Sequence, residues 1–190
     1  MGKAKTFTSA ELRRVFDYLA TRQHAVRNRT MVCVSHMGGL RVGEIAKLTW
    51  GDVIGTDGRV KDEIRLKAEQ TKGRHPRIVF VSPKLKKELE AYVASVKARP
   101  SDWAFFYSQK KLQHGFTPNT LAQYFLSMYK NAGIDGASSH SGRRSFATTL
   151  ASKGVSVRVL MRAMGHRNIS TTIGYVDASD DMLRNAVNLL

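Results

Sequence analysis

Apolar residues recur at helical spacing through most of this chain. Near its start, apolar positions three or four residues apart alternate with charged ones: Leu12, Val15, Phe16 and Leu19. Thr8 and Glu11 have the spacing of a capping box, in which each side chain bonds the backbone N–H of the other residue. The pattern predicts a first helix that begins near Ser9.

Start and stop signals predict further helices. Ser82-Pro83 and Thr117-Pro118 each place a capping hydroxyl before a proline, an arrangement typical of a first helical turn. Glycines such as Gly154 and Gly165 follow the ends of periodic segments, as glycine commonly does after a helix. These signals predict helices at about 42–48, 83–99, 118–132, 139–153 and 157–164, and an amphipathic last segment at 180–190.

One stretch, residues 53–82, has strand signals instead. Asp57-Gly58 is typical of a hairpin turn, residues 64–66 alternate in polarity, and residues 77–81 form a run rich in strand-forming side chains. The chain is therefore predicted to be one α+β domain, residues 1–190, that is mainly helical and carries a small antiparallel three-stranded sheet.

Basic residues outnumber acidic ones, with 31 Lys and Arg against 15 Asp and Glu and a formal net charge of +16. This excess predicts a polyanionic partner such as nucleic acid, with a generally basic surface as the alternative.

Cys33 is the only cysteine, so no intrachain disulfide can form, and its apolar setting predicts a buried, unreactive thiol. The chain has neither a secretory signal nor an apolar run of membrane-spanning length, which predicts a cytoplasmic protein without a membrane partner.

Common motifs for nucleotide and hydrolase chemistry do not occur. The sequence has no phosphate loop ending in Gly-Lys-Ser/Thr, no Gly-x-Gly-x-x-Gly and no Gly-x-Ser-x-Gly. The six histidines lack zinc-site spacing, and carboxylates are too scarce for a two-metal nuclease. We therefore expect neither a cofactor nor a metal, so any positive charge needed for chemistry on phosphate must come from side chains.

Three separated segments carry the remaining candidates: GLRVGEI at 39–45, HSGRRSFA at 140–147 and GHRNISTTIGYV at 165–176. They contain Arg-x-x-Glu after a glycine turn, His-x-x-Arg at a helix start, and Gly-His with a tyrosine nine positions beyond the histidine. In this order they resemble the catalytic domain of the tyrosine recombinases, the phage integrase family. The resemblance covers about residues 9–176 and implies the DNA breaking-rejoining fold of that family. It also implies site-specific cleavage and rejoining of DNA through a covalent 3′-phosphotyrosyl intermediate, without metal or ATP.

The resemblance assigns roles that suit the chemistry of phosphoryl transfer. Arg41 and Arg143 would bind the non-bridging oxygens of five-coordinate phosphorus, as guanidiniums that stay charged at physiological pH. His166 would add a third donor. Tyr175 would attack phosphorus, and because a free phenol has a pKa of about 10, it needs a proton acceptor or a strongly positive site. The resemblance gives His140 the task of assisting there.

The family also has a lysine in the loop between the second and third strands, where this sequence offers Lys72. Neighbouring positive charges would lower its pKa, as suits a general acid that protonates the departing 5′ oxygen. A flexible hairpin would let it swing in once DNA is bound. Lys67 is the alternative for this role. Glu44, one helical turn from Arg41, is expected to orient an arginine or the neighbouring helix rather than to act as a base.

Each assignment has a simpler alternative. Arg41 would then be an ordinary cation at a helix start, Lys72 an exposed turn residue, His140 the cap of its helix, and Tyr175 a half-buried ring. Two other functions also stay open. One is DNA relaxation by a type IB topoisomerase, which uses a closely similar tyrosine site, and the other is non-catalytic regulation by a basic DNA-binding protein.

The chain departs from the family pattern at two motif positions and in its domains. Arg144 stands where histidine is common. Gly142 stands where leucine is usual, which predicts a more loosely packed helix start. We also expect no N-terminal core-binding domain. The chain would then be either an excised catalytic fragment or a compact member similar to the fimbrial switch invertases, and the start MGKAKTFTSA favours a natural beginning.

The resemblance implies an assembly as well. Double-stranded DNA would be the partner, bound by a tetramer, with a monomer as the alternative in solution and accessory DNA-bending proteins as further partners. The C-terminal helix, residues 178–190, has an apolar face and is expected to dock either on a neighbouring subunit or back on its own domain.

Overall fold

The computed structural model describes residues 4–108, 113–175, 184 and 187–188. Its elements, in chain order, are α1 (Ser9–Ala20), α2 (Ala25–Gly38), α3 (Val42–Ala46), α4 (Trp50–Val53), β1 (Glu63–Leu66), β2 (Arg77–Phe80), α5 (Pro83–Ala94), α6 (Pro118–Asn131), α7 (Ser141–Ser152), α8 (Val157–Met164) and α9 (Ile169–Ile173). None of the described helices is long and apolar enough to cross a membrane. The helix predicted at 178–190 lies outside the described residues apart from 184, 187 and 188.

Helix starts follow the predicted caps. The Thr8 hydroxyl accepts a hydrogen bond from the Glu11 amide at 3.1 Å, and the Glu11 carboxylate accepts one from the Thr8 amide at 3.0 Å. The Ser82 and Thr117 hydroxyls cap α5 and α6 by accepting the amides of Leu85 and Thr120, and each helix has a proline in its first turn. These helices therefore begin where short-range capping chemistry places them.

Helix α2 is the centre of the fold and packs against α1, α5 and α7. Residues 31–34 in it are fully buried, and burial raises the pKa of the Cys33 thiol to about 12. A smaller apolar cluster joins α7 to α8 and contains Ala147, Ala151, Leu160 and Met164, with Tyr175 against its edge. This second cluster ties the C-terminal segments of the described chain to α7.

The sheet is smaller than predicted. In the described residues it has two antiparallel strands, with Glu63 opposite Phe80 and Leu66 opposite Arg77. The expected third strand is only an isolated bridge between Ile54 and Val60 across the Asp57-Gly58 turn. The difference arises because residues 50–53 form α4, which leaves too few extended residues before the turn to make a ladder. The mainly helical α+β class is confirmed.

The start of α7 is packed more tightly than expected. A Cβ atom added to Gly142 would lie 2.6 Å from Ser35 Oγ and 3.0 Å from Ser35 Cβ on α2. Ser35 itself is fully buried. The expectation of loose packing at Gly142 is therefore wrong, because the missing side chain lets α7 approach α2.

Candidate active site

The three predicted segments meet beside the start of β2. Arg41 is the N-cap of α3, Arg143 lies in the first turn of α7, and His166 directly follows α8. Arg41 and His166, together with Lys72 in the loop before β2, line an open groove of about 800 Å³. The fold thus brings together residues that are up to 125 positions apart between Arg41 and His166.

Glu44 is the electrostatic centre of the site. Its carboxylate is 1% exposed and lies 2.9 Å from Arg41 Nη1, 2.7 Å from Arg77 Nη2 and 4.0 Å from Arg143 Nη1. Burial raises the pKa of Glu44, but the hydrogen bonds and charge of Arg77, the Arg41 amide and the charge of Arg143 outweigh it, so that the pKa lies below its ordinary value. The carboxylate is therefore ionised at neutral pH, and it contacts the arginines as an acceptor, as its predicted orienting role requires.

Arg143 is almost completely buried, with 4% of its surface exposed. Its Nη1 donates to the carbonyl of Gly39, and its Nη2 donates to the carbonyl of Met164. Burial and the charges of Arg41 and Arg77 lower the pKa of Arg143 to about 9, which leaves the guanidinium protonated at neutral pH. The side chain is held by two backbone segments at once and has little freedom to rotate.

His166 bridges Arg143 and α9. Its Nε2 lies 3.1 Å from Arg143 Nη2, and its Nδ1 lies 3.0 Å from the hydroxyl of Thr172. Burial and the charges of Arg143, Arg41 and Arg77 lower the pKa of His166 to about 4, so the ring is neutral at neutral pH. Because a guanidinium can only donate, Nε2 is the acceptor and the single ring proton is on Nδ1, donated to Thr172.

This tautomer bears on the predicted role of His166. In the structure Nε2 has no proton to offer, so the ring accepts from Arg143 rather than acting as a free donor. Donation to a phosphate oxygen would require the contact with Arg143 to be replaced and the proton to move to Nε2. The Thr172 hydroxyl can accompany such a change, because it can either accept from Nδ1–H or donate to a bare Nδ1.

Tyr175 lies next to His166. The two rings are stacked, with centroids 5.9 Å apart and planes inclined by 24°. The guanidinium carbon of Arg144 is 5.4 Å from the tyrosine ring centre, and the Tyr175 amide donates to the carbonyl of Thr172 at 3.0 Å. The ring is half-buried at the edge of the cluster between α7 and α8, so its position is defined without being locked in the core.

His140 stands at the N-cap position of α7. Within the described residues its side chain makes no capping hydrogen bond, so the capping alternative has no support there. Partial burial and the charges of Arg143, Arg41 and Lys72 lower the pKa of His140, which keeps the imidazole neutral near pH 7. His140 is therefore close enough to the three cations to sense them electrostatically.

Lys72 is exposed on the turn that precedes β2. The residue before it, Thr71, is buried, and its hydroxyl bonds the carbonyl of His75 at 2.7 Å across the turn. Gln70 is also buried and donates to Asp52 at 2.6 Å. Hydrogen bonds of Gln70 and Thr71 therefore hold the start of this loop in place, so any movement of the expected hairpin is restricted to the residues at its tip. Lys67 lines a separate depression, away from Arg41 and His166.

Sequence analysis missed Arg77. It is 7% exposed at its side chain, and besides the contact with Glu44 it donates to the carbonyl of Ala163 at 3.0 Å and lies 3.4 Å from that of Gly39. One signal was available in the alternation of β2, since Arg77 and Val79 lie on one face while Ile78 and Phe80 are exposed on the other. An arginine on the inward face of a strand requires a buried acceptor.

Thr172 was missed for a different reason. It is fully buried, yet it belongs to the short polar segment between His166 and Tyr175, in which sequence analysis assigned no role to any residue. Two threonines stand side by side there, and only the fold distinguishes buried Thr172 from exposed Thr171.

Comparisons with known proteins identify relatives along almost the whole chain. The description "Phage integrase family" applies to residues 5–182 of the chain. A tyrosine recombinase of Pseudothermotoga lettingae is 31% identical over 182 residues, which make up 95% of this chain and 59% of that protein. Tyrosine recombinase XerA of Pyrococcus furiosus is 26% identical over 183 residues, 96% of this chain and 60% of the relative. The chain thus spans less than two thirds of the length of these curated relatives.

Solved structures show the same fold. The crystal structure of XerA recombinase matches 100% of this chain and 66% of its own, with a TM-score of 0.75 and 23% identity. The Tn1549 transposon integrase, in complex with transposon right end DNA, matches 100% of this chain and 67% of its own, with a TM-score of 0.75 and 18% identity.

Proposed function

Because this chain belongs to the phage integrase family, we propose that it is a site-specific DNA recombinase acting through a covalent 3′-phosphotyrosyl intermediate. One observation carries the proposal. The Tyr175 ring stacks on His166, His166 contacts buried Arg143, and His166 lines an open groove together with Arg41 and Lys72. Through His166, the candidate nucleophile and buried Arg143 are therefore in contact with the wall of a groove that also presents a phosphate-binding cation and a candidate acid.

The proposed reaction transfers one phosphodiester from DNA to the tyrosine. Tyr175 Oη attacks phosphorus, the P–O5′ bond breaks as the new P–Oη bond forms, and Lys72 gives its proton to O5′. His140, neutral at pH 7, accepts the phenolic proton. Arg41 and Arg143 stabilise the negative charge on the non-bridging oxygens, which reaches its maximum in the transition state. Attack by a second DNA hydroxyl reverses these steps and joins the new strands.

The general acid is Lys72 rather than Lys67 in this proposal. Lys72 lines the groove with Arg41 and His166, whereas Lys67 lines a separate depression with Lys61. The hydrogen bonds of Gln70 and Thr71 hold the loop just before Lys72, so the lysine stays within a limited distance of the groove.

We place this reaction on double-stranded DNA in the cytoplasm, within a tetramer on DNA and with accessory DNA-bending proteins as further candidates. The net charge of +16 supports a polyanionic partner. Structural neighbours include XerH site-specific recombinase bound to its difH substrate, at a TM-score of 0.69 and 21% identity. That complex supports DNA as the class of partner.

The test is covalent capture of DNA. The protein is incubated at low salt with a pool of duplexes of randomised sequence, each nicked so that the short fragment released by cleavage diffuses away and cannot be rejoined. Complexes that survive denaturant are recovered and sequenced, which also identifies the target. We expect the wild-type chain to trap DNA and Tyr175→Phe to trap none, because only the phenolic oxygen is lost.

Tyr18→Phe is the matched control. Tyr18 is also half-buried and has an arginine, Arg22, over its ring at 4.5 Å, but it lies on α1 away from the groove. It should trap DNA like the wild type. Absence of any covalent complex with wild-type protein would contradict catalysis and favour the DNA-binding regulator. Relaxed circular DNA without strand exchange would instead favour a type IB topoisomerase.

A second arm of this experiment tests the acid. A sequence recovered by capture is remade with sulfur in place of the bridging 5′ oxygen, since a thiolate leaves without a proton, whereas an alkoxide does not. Lys72→Ala should cleave the oxygen substrate at least about 100-fold more slowly and recover on the sulfur substrate. Lys67→Ala should cleave both like the wild type. The opposite pattern would move the role to Lys67.

A further inference from the structure

Thr172 is hydrogen-bonded to both His166 and Tyr175. Its hydroxyl is 3.0 Å from His166 Nδ1, and its backbone carbonyl accepts the Tyr175 amide at 3.0 Å. The side chain is 0% exposed, so water cannot replace its hydroxyl as the partner of Nδ1. One residue of α9 is therefore hydrogen-bonded to the histidine through its side chain and to the tyrosine through its backbone.

The contact of His166 with Arg143 makes the Thr172 hydroxyl necessary. The guanidinium occupies the lone pair of Nε2 at 3.1 Å, which puts the ring proton on Nδ1. An N–H that is shielded from water and has no acceptor is unfavourable. Within the described part of the chain, the Thr172 hydroxyl is the partner recorded for Nδ1.

We propose that Thr172 is a positioning residue that fixes the ring orientation of His166, stabilises the Nδ1–H tautomer that the Arg143 contact selects, and ties that ring to Tyr175. The proposal rests on the proposed function for its effect on rate, but the geometry it describes exists without DNA. With the ring held at Nδ1, the imidazole plane presents its Nε2 edge to Arg143 and its face to the Tyr175 ring. Loss of the hydroxyl frees the ring to turn about its side-chain bonds, and both contacts weaken together.

Three variants separate the hydroxyl from other effects. Thr172→Val keeps the shape and β-branching of the side chain and removes only the hydroxyl, while Thr172→Ser keeps the hydroxyl and removes the methyl group. Thr171→Val makes the same change at the exposed neighbour on the same short helix. The backbone carbonyl that accepts the Tyr175 amide is present in all three.

The first measurement needs no DNA. Long-range ¹⁵N–¹H spectra of protein labelled at histidine distinguish Nδ1–H from Nε2–H tautomers, and His166→Gln identifies the signal of His166. We expect the Nδ1–H form in the wild type, in Thr172→Ser and in Thr171→Val. In Thr172→Val the His166 signal should lose that single-tautomer signature.

The second measurement is the single-turnover rate of covalent complex formation, on DNA recovered by the capture experiment and at saturating protein. Thr172→Val should be slower by about tenfold to 100-fold, the range found for partners that orient a functional histidine. DNA affinity should not change, and Thr172→Ser should regain most of the rate. If Thr172→Val fails to fold, Thr172→Ala removes the same hydroxyl with no added atoms.

Two results would overturn the proposal. One is a Thr172→Val protein whose His166 tautomer matches that of Thr171→Val. The other is a normal cleavage rate in Thr172→Val with a disturbed tautomer. If wild-type protein forms no covalent complex at all, the proposed function fails, and the spectra alone then decide whether Thr172 positions His166.

Discussion

Replacing Arg77 with methionine should destabilise the folded chain far more than the same change at an exposed arginine. Methionine keeps much of the aliphatic length and removes the charge. The guanidinium lies 2.7 Å (Nη2) and 3.3 Å (Nε) from the oxygens of Glu44, which is 1% exposed, and donates to the carbonyl of Ala163 at 3.0 Å. Arg77→Met therefore removes the shortest ion pair of a buried carboxylate and a hydrogen bond to a backbone carbonyl at once.

The magnitude follows from those contacts. Breaking a buried ion pair by removing one partner typically lowers the free energy of unfolding by about 3–5 kcal/mol. The lost hydrogen bond to the Ala163 carbonyl adds about 1 kcal/mol. Arg41 remains 2.9 Å from Glu44 and offsets part of the loss. We expect a net decrease of about 3 kcal/mol, or about 6–12 °C in melting temperature for a chain of this size.

Urea unfolding followed by circular dichroism measures this change. The matched control is Arg65→Met on β1, because Arg65 also pairs with a glutamate, Glu63 at 3.1 Å, but its side chain is 76% exposed. That variant should lose less than about 1 kcal/mol. In the double variant Arg77→Met with Glu44→Gln the carboxylate and its shortest guanidinium partner are removed together, so the loss should be smaller than the sum of the two single losses. Equal losses for Arg77→Met and Arg65→Met, or strict additivity, would refute the reasoning.

Two further predictions concern packing and assembly. Gly142→Ala should lower the free energy of unfolding by about 1 kcal/mol despite the higher helix propensity of alanine, because its Cβ would meet Ser35 Oγ at 2.6 Å. Adding Ser35→Gly to this variant should recover part of the loss. An increase in the free energy of unfolding of Gly142→Ala would contradict this account of the packing. Truncation after Asp177 should reduce the fraction of oligomeric protein on DNA and leave binding to a single DNA site intact. Sedimentation with the DNA sequence recovered by covalent capture measures both. An unchanged oligomeric fraction would exclude exchange of the C-terminal helix between subunits.

Local chemistry explains which elements the sequence predicted well. The capping pair Thr8 and Glu11 acts over three residues, so the start of α1 depends on nothing distant. Strand pairing does not have this property. Ile54 and Val60 flank a good turn, yet whether they extend into a ladder depends on α4 upstream, which uses the residues that a strand would need.

The same distinction applies to the site. Arg41, Arg143, His166 and Tyr175 lie in motifs whose order and spacing are visible in the sequence. Arg77 belongs to no such motif, because its partners are Glu44, 33 positions away, and Ala163, 86 positions away. The role of Arg77 therefore depends on the fold. The signal that the sequence offers is a charged residue at an inward-facing position of a short strand.

The buried arginines also explain why two of the motifs contain glycines. Arg143 and Arg77 donate to carbonyls at the ends of α2 and α8, where helices leave acceptors without internal partners and carry partial negative charge. The residue after each helix, Gly39 or Gly165, has a positive φ, +63° or +60°. A Cβ at Gly39 would lie 2.6 Å from the Phe146 ring, and one at Gly165 would lie 2.5 Å from Arg77 Cδ. These glycines therefore end the helices and also leave room for packed side chains, Gly39 for the Phe146 ring of α7 and Gly165 for the Arg77 side chain, so that both helix ends can accept hydrogen bonds from the buried arginines.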